Sequence, residues 1–188
     1  MATTQTSAPI SAVTTWQIDP AHTLVEFSAK HMMITTVKGR FNDVSGTVAG
    51  DAADVRRSKV DVTIAASSLT TSQDQRDTHL RSADFLDAEK YPSIRFASRR
   101  IEPASKDSFR LIGDLTIRDV TKEIALDVTA EGQGKDPWGG QRADFSARGS
   151  LDRRQFGLEW NQALEAGGFL VGNEIKISLE VQLVQAKS

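Results

Sequence analysis

Ile175-Lys-Ile-Ser-Leu-Glu-Val-Gln-Leu183 is the cleanest alternation in the chain, with Ile175, Ile177, Leu179, Val181 and Leu183 all on one face. A period of two sustained over that length describes a β-strand buried on one side. Reading back toward the N-terminus, the same period recurs. It is carried by Ala143, Phe145, Ala147 and Leu151, by Ile124, Leu126 and Val128, and by Leu111, Gly113, Leu115 and Ile117. It continues in Ile94, Phe96 and Ser98, in Val60, Val62 and Ile64, and in Val25, Phe27 and Ala29. Gly39 to Val48 has strand character with glycines that permit bends or bulges, and Trp16-Gln-Ile18 starts the fold before Asp19-Pro20 turns the chain.

These runs make about eight or nine strands joined by connections too short for anything but antiparallel pairing. One apolar face per strand admits a sandwich or a sheet closed on itself. Long strands without Greek-key excursions favour the closed form, which also removes unprotected edges. The expected fold is therefore all-β with a short helical insertion, an antiparallel barrel of eight strands with a lipocalin-like apolar channel. An interior of that strand number is just wide enough for one slender ligand.

The insertion is Ser72-Gln-Asp-Gln-Arg-Asp-Thr-His-Leu-Arg81, followed by Ser82-Ala-Asp-Phe-Leu-Asp-Ala-Glu-Lys-Tyr-Pro92. Ser72 with Gln75 has the form of a capping box. Asp84 is placed to cap a second short turn, with Asp87 near its positive end, and Pro92 stops it. Phe85 and Leu86 give that turn an apolar side, and the whole passage reads as a lid over one end of the barrel. The expected division is a loose tail over residues 1–14 and a single domain over 15–186.

The 188 residues carry 23 Lys+Arg against 25 Asp+Glu. That balance provides no concentrated basic surface for nucleic acid. With no cysteine, disulfides, thiolate zinc sites and cysteine nucleophiles are all excluded. No apolar run approaches the roughly 20 residues of a membrane-spanning helix. Met1 to Ile18 is uncharged but lacks the basic and apolar regions of a secretion signal, so a cytoplasmic location is expected.

His22, His31 and His79 show no paired metal-ligand spacing, and neither a Gly-x-Ser-x-Gly elbow nor a glycine-rich phosphate loop is present. No metal or cofactor is expected, and an enzyme is not the favoured reading. Arg76 and His79 share a helix face. They either greet a polar head group at the channel mouth or serve the local structure, Arg76 pairing with acids, Asp77 capping and His79 resting against a loop. His22 reads as a turn histidine.

Six ordered segments together resemble the YceI-like family of lipocalin-like proteins. They are Trp16-Gln-Ile-Asp-Pro-Ala-His22 with Phe27, His31 and Val37-Lys-Gly-Arg-Phe41; Ser67-Ser-Leu-Thr-Thr71; Arg76-Asp-Thr-His-Leu-Arg81 with Asp84-Phe85 and Tyr91-Pro92; Gly113-Asp-Leu-Thr-Ile-Arg118 with Val120-Thr-Lys122; Asp152-Arg-Arg-Gln-Phe-Gly157; and Leu170-Val-Gly-Asn-Glu174. The resemblance spans roughly Trp16 to Leu183. It implies an eight-stranded barrel around a long apolar channel, and a carrier of polyisoprenoids or related amphiphiles such as fatty acids. It also leads us to expect Gly where this chain has Asp119, and a second Phe where it has Leu86.

The expected ligand is an apolar-chain lipid: a polyisoprenoid, an isoprenoid phosphate or quinone, or a fatty-acid-like molecule. The candidate contacts are Phe27, His31, Met33, Val37, Phe41, Arg76, His79, Phe85, Phe96, Leu115, Ile117, Phe145, Phe156, Trp160 and Leu170. Their apolar members, with Met32 and Ile34, either line a cavity or fill it; alternation alone fits both. Lys30, His31, Lys38 and Arg40 occur between Phe27 and Asn42 with no acid, which fits a basic rim for a phosphate or a solvated strand face. Each buried methylene contributes about 0.8 kcal/mol, so a five-carbon unit offers about 4 kcal/mol. Micromolar affinity needs about 8 kcal/mol net of an association cost of roughly 4–15 kcal/mol. Several buried units therefore suffice, leaving the head group to orient. Two other functions remain open: an enzyme for a small lipid-like substrate using His79 or His22, and an interaction scaffold with a filled core. Pairing of two copies through an exposed strand also stays open.

Overall fold

Antiparallel ladders run without a break around the computed structural model, which describes residues 13–187. In chain order the strands are β1 (Val13–Ile18), β2 (Leu24–His31), β3 (Thr35–Phe41), β4 (Val44–Asp51), β5 (Lys59–Ala65) and β6 (Leu69–Thr70). After the helix α1 (Asp74–Arg81) come β7 (Ser93–Pro103), β8 (Ser108–Ile117), β9 (Val120–Lys135), β10 (Gln141–Asp152) and β11 (Val171–Gln185). The early strands are halves of longer ones. β1 and β2 both pair with β11, β3 and β4 pair with β2 and β1, and β5 and β6 pair with β4 and β3. Eight composite strands result, and Trp16 opposite Gln185 closes them into a barrel.

The break in the first strand has a local cause. Pro20 lacks the N–H that a ladder needs, and Asp19 Oδ1 accepts from Ala21 N at 3.0 Å, forming the short helical turn Pro20–His22. Arg142 then clamps the break from outside, reaching Asp19 Oδ2 at 2.7 Å and Asp136 Oδ2 at 3.0 Å. His22 Nδ1 joins the same Asp19 oxygen at 2.9 Å. This cluster holds the Asp19 carboxyl below its ordinary range, chiefly through the bond with His22.

Of the expected tail, residues 1–12 lie outside the described residues, while Val13 and Thr14 already belong to β1. The lid is present, with its caps displaced. Ser72 adopts φ 61°, so Gln73 takes the cap and its side chain accepts from Arg76 N. Asp84 caps nothing; residues 83–86 form hydrogen-bonded turns, and Asp84 Oδ2 instead meets His79 Nε2 at 2.8 Å. Phe85 and Leu86 are buried, as the apolar side of that passage requires.

Inward-facing glycines make room for rings. A Cβ on Gly39 would collide with the Phe27 ring, and one on Gly113 with the Phe96 ring. The main buried cluster joins Ile94, Phe96, Ile101, Leu111, Leu115, Leu126 and Val128 of β7–β9 with Leu86, Phe156 and Leu158 from the connections. Each buried side chain of this size contributes roughly 1.5–3 kcal/mol of transfer free energy.

Candidate functional site: a barrel interior and its lidded rim

Along β2 and β11 the inward register pairs Val25 with Leu179, Phe27 with Ile177 and Ala29 with Ile175. The same face continues through Phe41, Gly39 and Val37 on β3 and through Ala147, Gly149 and Leu151 on β10. These positions share the inward face of the barrel. Yet Phe27, Val37, Phe41, Phe145, Ile177 and Leu179 are only half-buried, as are Val62 and Ile64 on β5. Apart from Val37, the same side chains pack against the main buried cluster from the facing strands without being fully covered by it. Phe96, Leu115 and Ile117 face inward across from them but are buried, and Phe156 is 1% exposed, the largest fully buried side chain. Phe156 therefore fills the interior rather than lining it.

The upper rim carries the β2–β3 turn, the β8–β9 turn, α1 and the connection from β10 to β11. Three rings converge there. His79 lies 4.5 Å from Trp160 and 5.1 Å from Phe85, both edge-on, and Phe85 lies 5.5 Å from Trp160. Arg118, from the β8–β9 turn, reaches the Phe85 carbonyl at 3.4 Å and stacks over Tyr91 at 5.6 Å. The left-handed residue of that turn is Arg118 (φ 56°), so Asp119 stands where no glycine is needed. Leu86, likewise, is buried in the place expected of a second Phe.

Arg76 does not pair with acids. Its Nε donates to Thr71 Oγ1 at 2.7 Å and its terminal nitrogen to Thr71 O at 3.0 Å. Asp77 is not a cap either; it accepts from Thr70 Oγ1, Thr71 N and Thr71 Oγ1 and is 3% exposed. Burial pushes its carboxyl up, but these bonds and the nearby Arg81 charge outweigh that and hold it below the ordinary range. Together they pin the helix to β6.

Arg153 was not singled out by sequence pattern. It is 2% exposed and donates to the carbonyls of Leu158, Trp160, Val171 and Gly172 and to Asn173 Oδ1. It thus ties the Trp160 loop to β11, with burial pushing its guanidinium down and Asp152 opposing. The visible signal was the Asp152-Arg-Arg-Gln-Phe-Gly157 segment, in which residue type alone does not separate buried Arg153 from exposed Arg154.

His31 ends β2 at the rim, and Leu170 lies half-buried beside it in sequence register with the start of β11. Met33 departs from expectation: it is 67% exposed at the tip of the β2–β3 turn, with Met32 and Ile34 also outside. No wall contains it. His22 lies on the outer surface at the strand break, away from His79. Among the described residues no group of three or more His, Asp or Glu side chains is arranged to hold a metal ion. No helix among them is long and apolar enough to cross a membrane.

The wall has two concavities. One lies over β2, β10 and β11, where Phe27 and Ile177 join Glu26, Lys38, Arg148 and Lys176 in the lining. The other follows a seam where the β9–β10 ladder stops at Asp127 opposite Arg148, leaving Gly149–Asp152 paired with β11 alone.

Known proteins share this architecture. A UPF0312 protein of Staphylococcus aureus (strain USA300) is 34% identical over 171 residues, covering 90% of this chain and 97% of the relative. The crystal structure of a Campylobacter jejuni YCEI protein superposes with a TM-score of 0.69 at 31% identity, covering 85% of this chain and 90% of that one. A polyisoprenoid-binding domain from Saccharophagus degradans, implicated in plant cell wall breakdown, has the same fold with a TM-score of 0.68 at 11% identity. It covers 93% of this chain and all of the other. The description of the YceI-like domain fits residues 16–183, and the chain belongs to that family.

Proposed function

We propose that the barrel binds one long-chain amphiphile in its lumen, with the apolar tail along the β2, β5, β10 and β11 walls and the polar end at the lidded rim. The carrying observation is the accessible surface left on inward Phe27, Val62, Ile64, Phe145, Ile177 and Leu179. A polyisoprenoid, an isoprenoid phosphate or quinone, or a fatty-acid-like lipid all have the required form. The Saccharophagus degradans domain, described as polyisoprenoid-binding, lends support through the shared fold. Binding or carriage rather than catalysis is the role inferred. Arg76 and Asp77 are committed to Thr70 and Thr71, which leaves His79 and Trp160 as the polar-edged groups nearest the lid.

The test is native mass spectrometry of the purified chain, followed by uptake of a fluorescent long-chain fatty acid and a prenyl alcohol. We expect a chain-like passenger, displaced by one of the probes, and an Ile177→Trp variant that folds but takes up neither. A wild-type chain that holds no passenger and takes up neither probe overturns the reading. So does an Ile177→Trp variant that binds as well as wild type.

A further inference from the structure

Seven large apolar side chains are exposed among the described residues, and four of them gather at one place on the upper rim. Met32 is 44%, Met33 67%, Ile34 77% and Phe169 55% exposed. Met32 N donates to Leu170 O at 2.8 Å, and the Met33 sulfur lies against Gly168, so the turn and the loop form one surface.

The turn is made from poorly suited residues. Ile34 N bonds to His31 O at 3.1 Å, and both central positions have positive φ, 51° at Met32 and 61° at Met33. Asn-Gly is the natural choice for such a hairpin. Two bulky thioethers stand there instead, left-handed and largely exposed, where neither core packing nor turn chemistry accounts for them.

Charge decides what could cover this surface. Lys30, Lys38 and Arg40 are exposed on the same hairpin, Arg40 directly opposite Glu26, and no carboxylate lies between Phe27 and Asn42 at its tip end. Glu159 and Glu165 are the acids of the facing loop. Apolar residues at a tip with cations behind them match a bilayer whose headgroups are anionic. The loop also reaches the lid, because the segment carrying Phe169 begins at Trp160, whose ring stacks on His79.

We propose that the rim formed by Met32, Met33, Ile34 and Phe169 docks on an anionic lipid bilayer, with Lys30 and Lys38 on the headgroup side of the tip. This deepens the lipid-binding reading by placing the passenger's exchange at this rim, but it stands on separate observations.

The experiment is co-sedimentation of the full chain with phosphatidylcholine vesicles, with and without phosphatidylglycerol. Wild type is retained by the anionic vesicles, and added salt weakens retention. Met33→Asp with Ile34→Asp lowers the partition by about tenfold or more, since two inserting side chains are lost. Trp138→Asp, at the opposite end and 86% exposed, leaves retention unchanged. Met32→Asn with Met33→Gly separates docking from folding, because it raises the melting temperature while lowering retention. Wild type ignoring both vesicle types overturns the proposal and assigns the patch to a protein partner. Equal loss in Trp138→Asp overturns it as well. Passenger content, read by native mass spectrometry on the Met33→Asp/Ile34→Asp chain, keeps the two readings apart: a retained passenger with lost docking supports this one. Docking that persists in a chain with an empty lumen also supports it while removing the other.

Discussion

Two halves of the barrel's inner surface arise from the same alternation and end differently. On β7, β8 and β9 the inward side chains Phe96, Ile101, Leu111, Leu115, Leu126 and Val128 are 4–8% exposed. On β2, β5, β10 and β11 their counterparts Phe27, Val62, Phe145, Ile177 and Leu179 keep accessible area. The difference comes from what the connections supply. Leu86 and Ala88 from the lid, and Phe156 and Leu158 after β10, are buried in one cluster with the first half, while Phe27, Val62, Phe145, Ile177 and Leu179 pack against that cluster and stay half-buried. Strand period determines which way a side chain faces; residues dropped in from loops determine whether it is covered.

The largest effect expected from this contrast is at Phe156. Phe156→Ala empties a fully packed site and should cost about 3–5 kcal/mol in urea unfolding. Next is Arg153→Met, which leaves four carbonyls and an amide oxygen without their donor. It should cost about 3 kcal/mol and expose the 157–170 loop to limited proteolysis. On the other half, Phe145→Ala removes contacts that are already incomplete and should cost less than Phe156→Ala. A loss at Phe145 equal to that at Phe156 would erase the distinction between the halves.

The smallest expected effect is on acid stability. The folded-state carboxyls of Asp77 and Asp19 both lie below their unfolded values. Each therefore contributes stability that is fully present above about pH 4 and is lost as pH falls through the lower folded value. Melting temperatures between about pH 5 and pH 3 should decline less steeply in Asp77→Asn than in wild type, from a lower starting point. An unchanged slope would remove Asp77 from the lid's anchorage.

Much of this was legible from residue order. Ile175 to Leu183, Val25 to Ala29 and Val60 to Ile64 announced their faces because a strand has only two; short links required antiparallel pairing, and long strands without Greek-key excursions favoured closure over a sandwich. The caps were less legible. Ser72 and Gln73 are both able to accept a helix N–H, and the left-handed backbone at Ser72 decided between them. Met33 was read as part of an apolar run, since nothing in its side chain tells a wall from a turn. Arg76 looked like a headgroup ligand or a partner for acids; tertiary folding offered it Thr71 instead. Interior polar anchors such as Arg153 depend on carbonyls from distant segments, which no local pattern displays.

The register Trp16 opposite Gln185 and Phe27 opposite Ile177 joins the earliest described strands to the last one. During synthesis the intervening hairpins can assemble one after another, but the cylinder stays an open, curling ribbon until β11 leaves the ribosome. Ring closure over so long a stretch of chain is the slow, entropically demanding step. A nascent chain therefore has no enclosed compartment to load. Any cargo is either wrapped at the moment of closure or admitted afterwards through the finished rim.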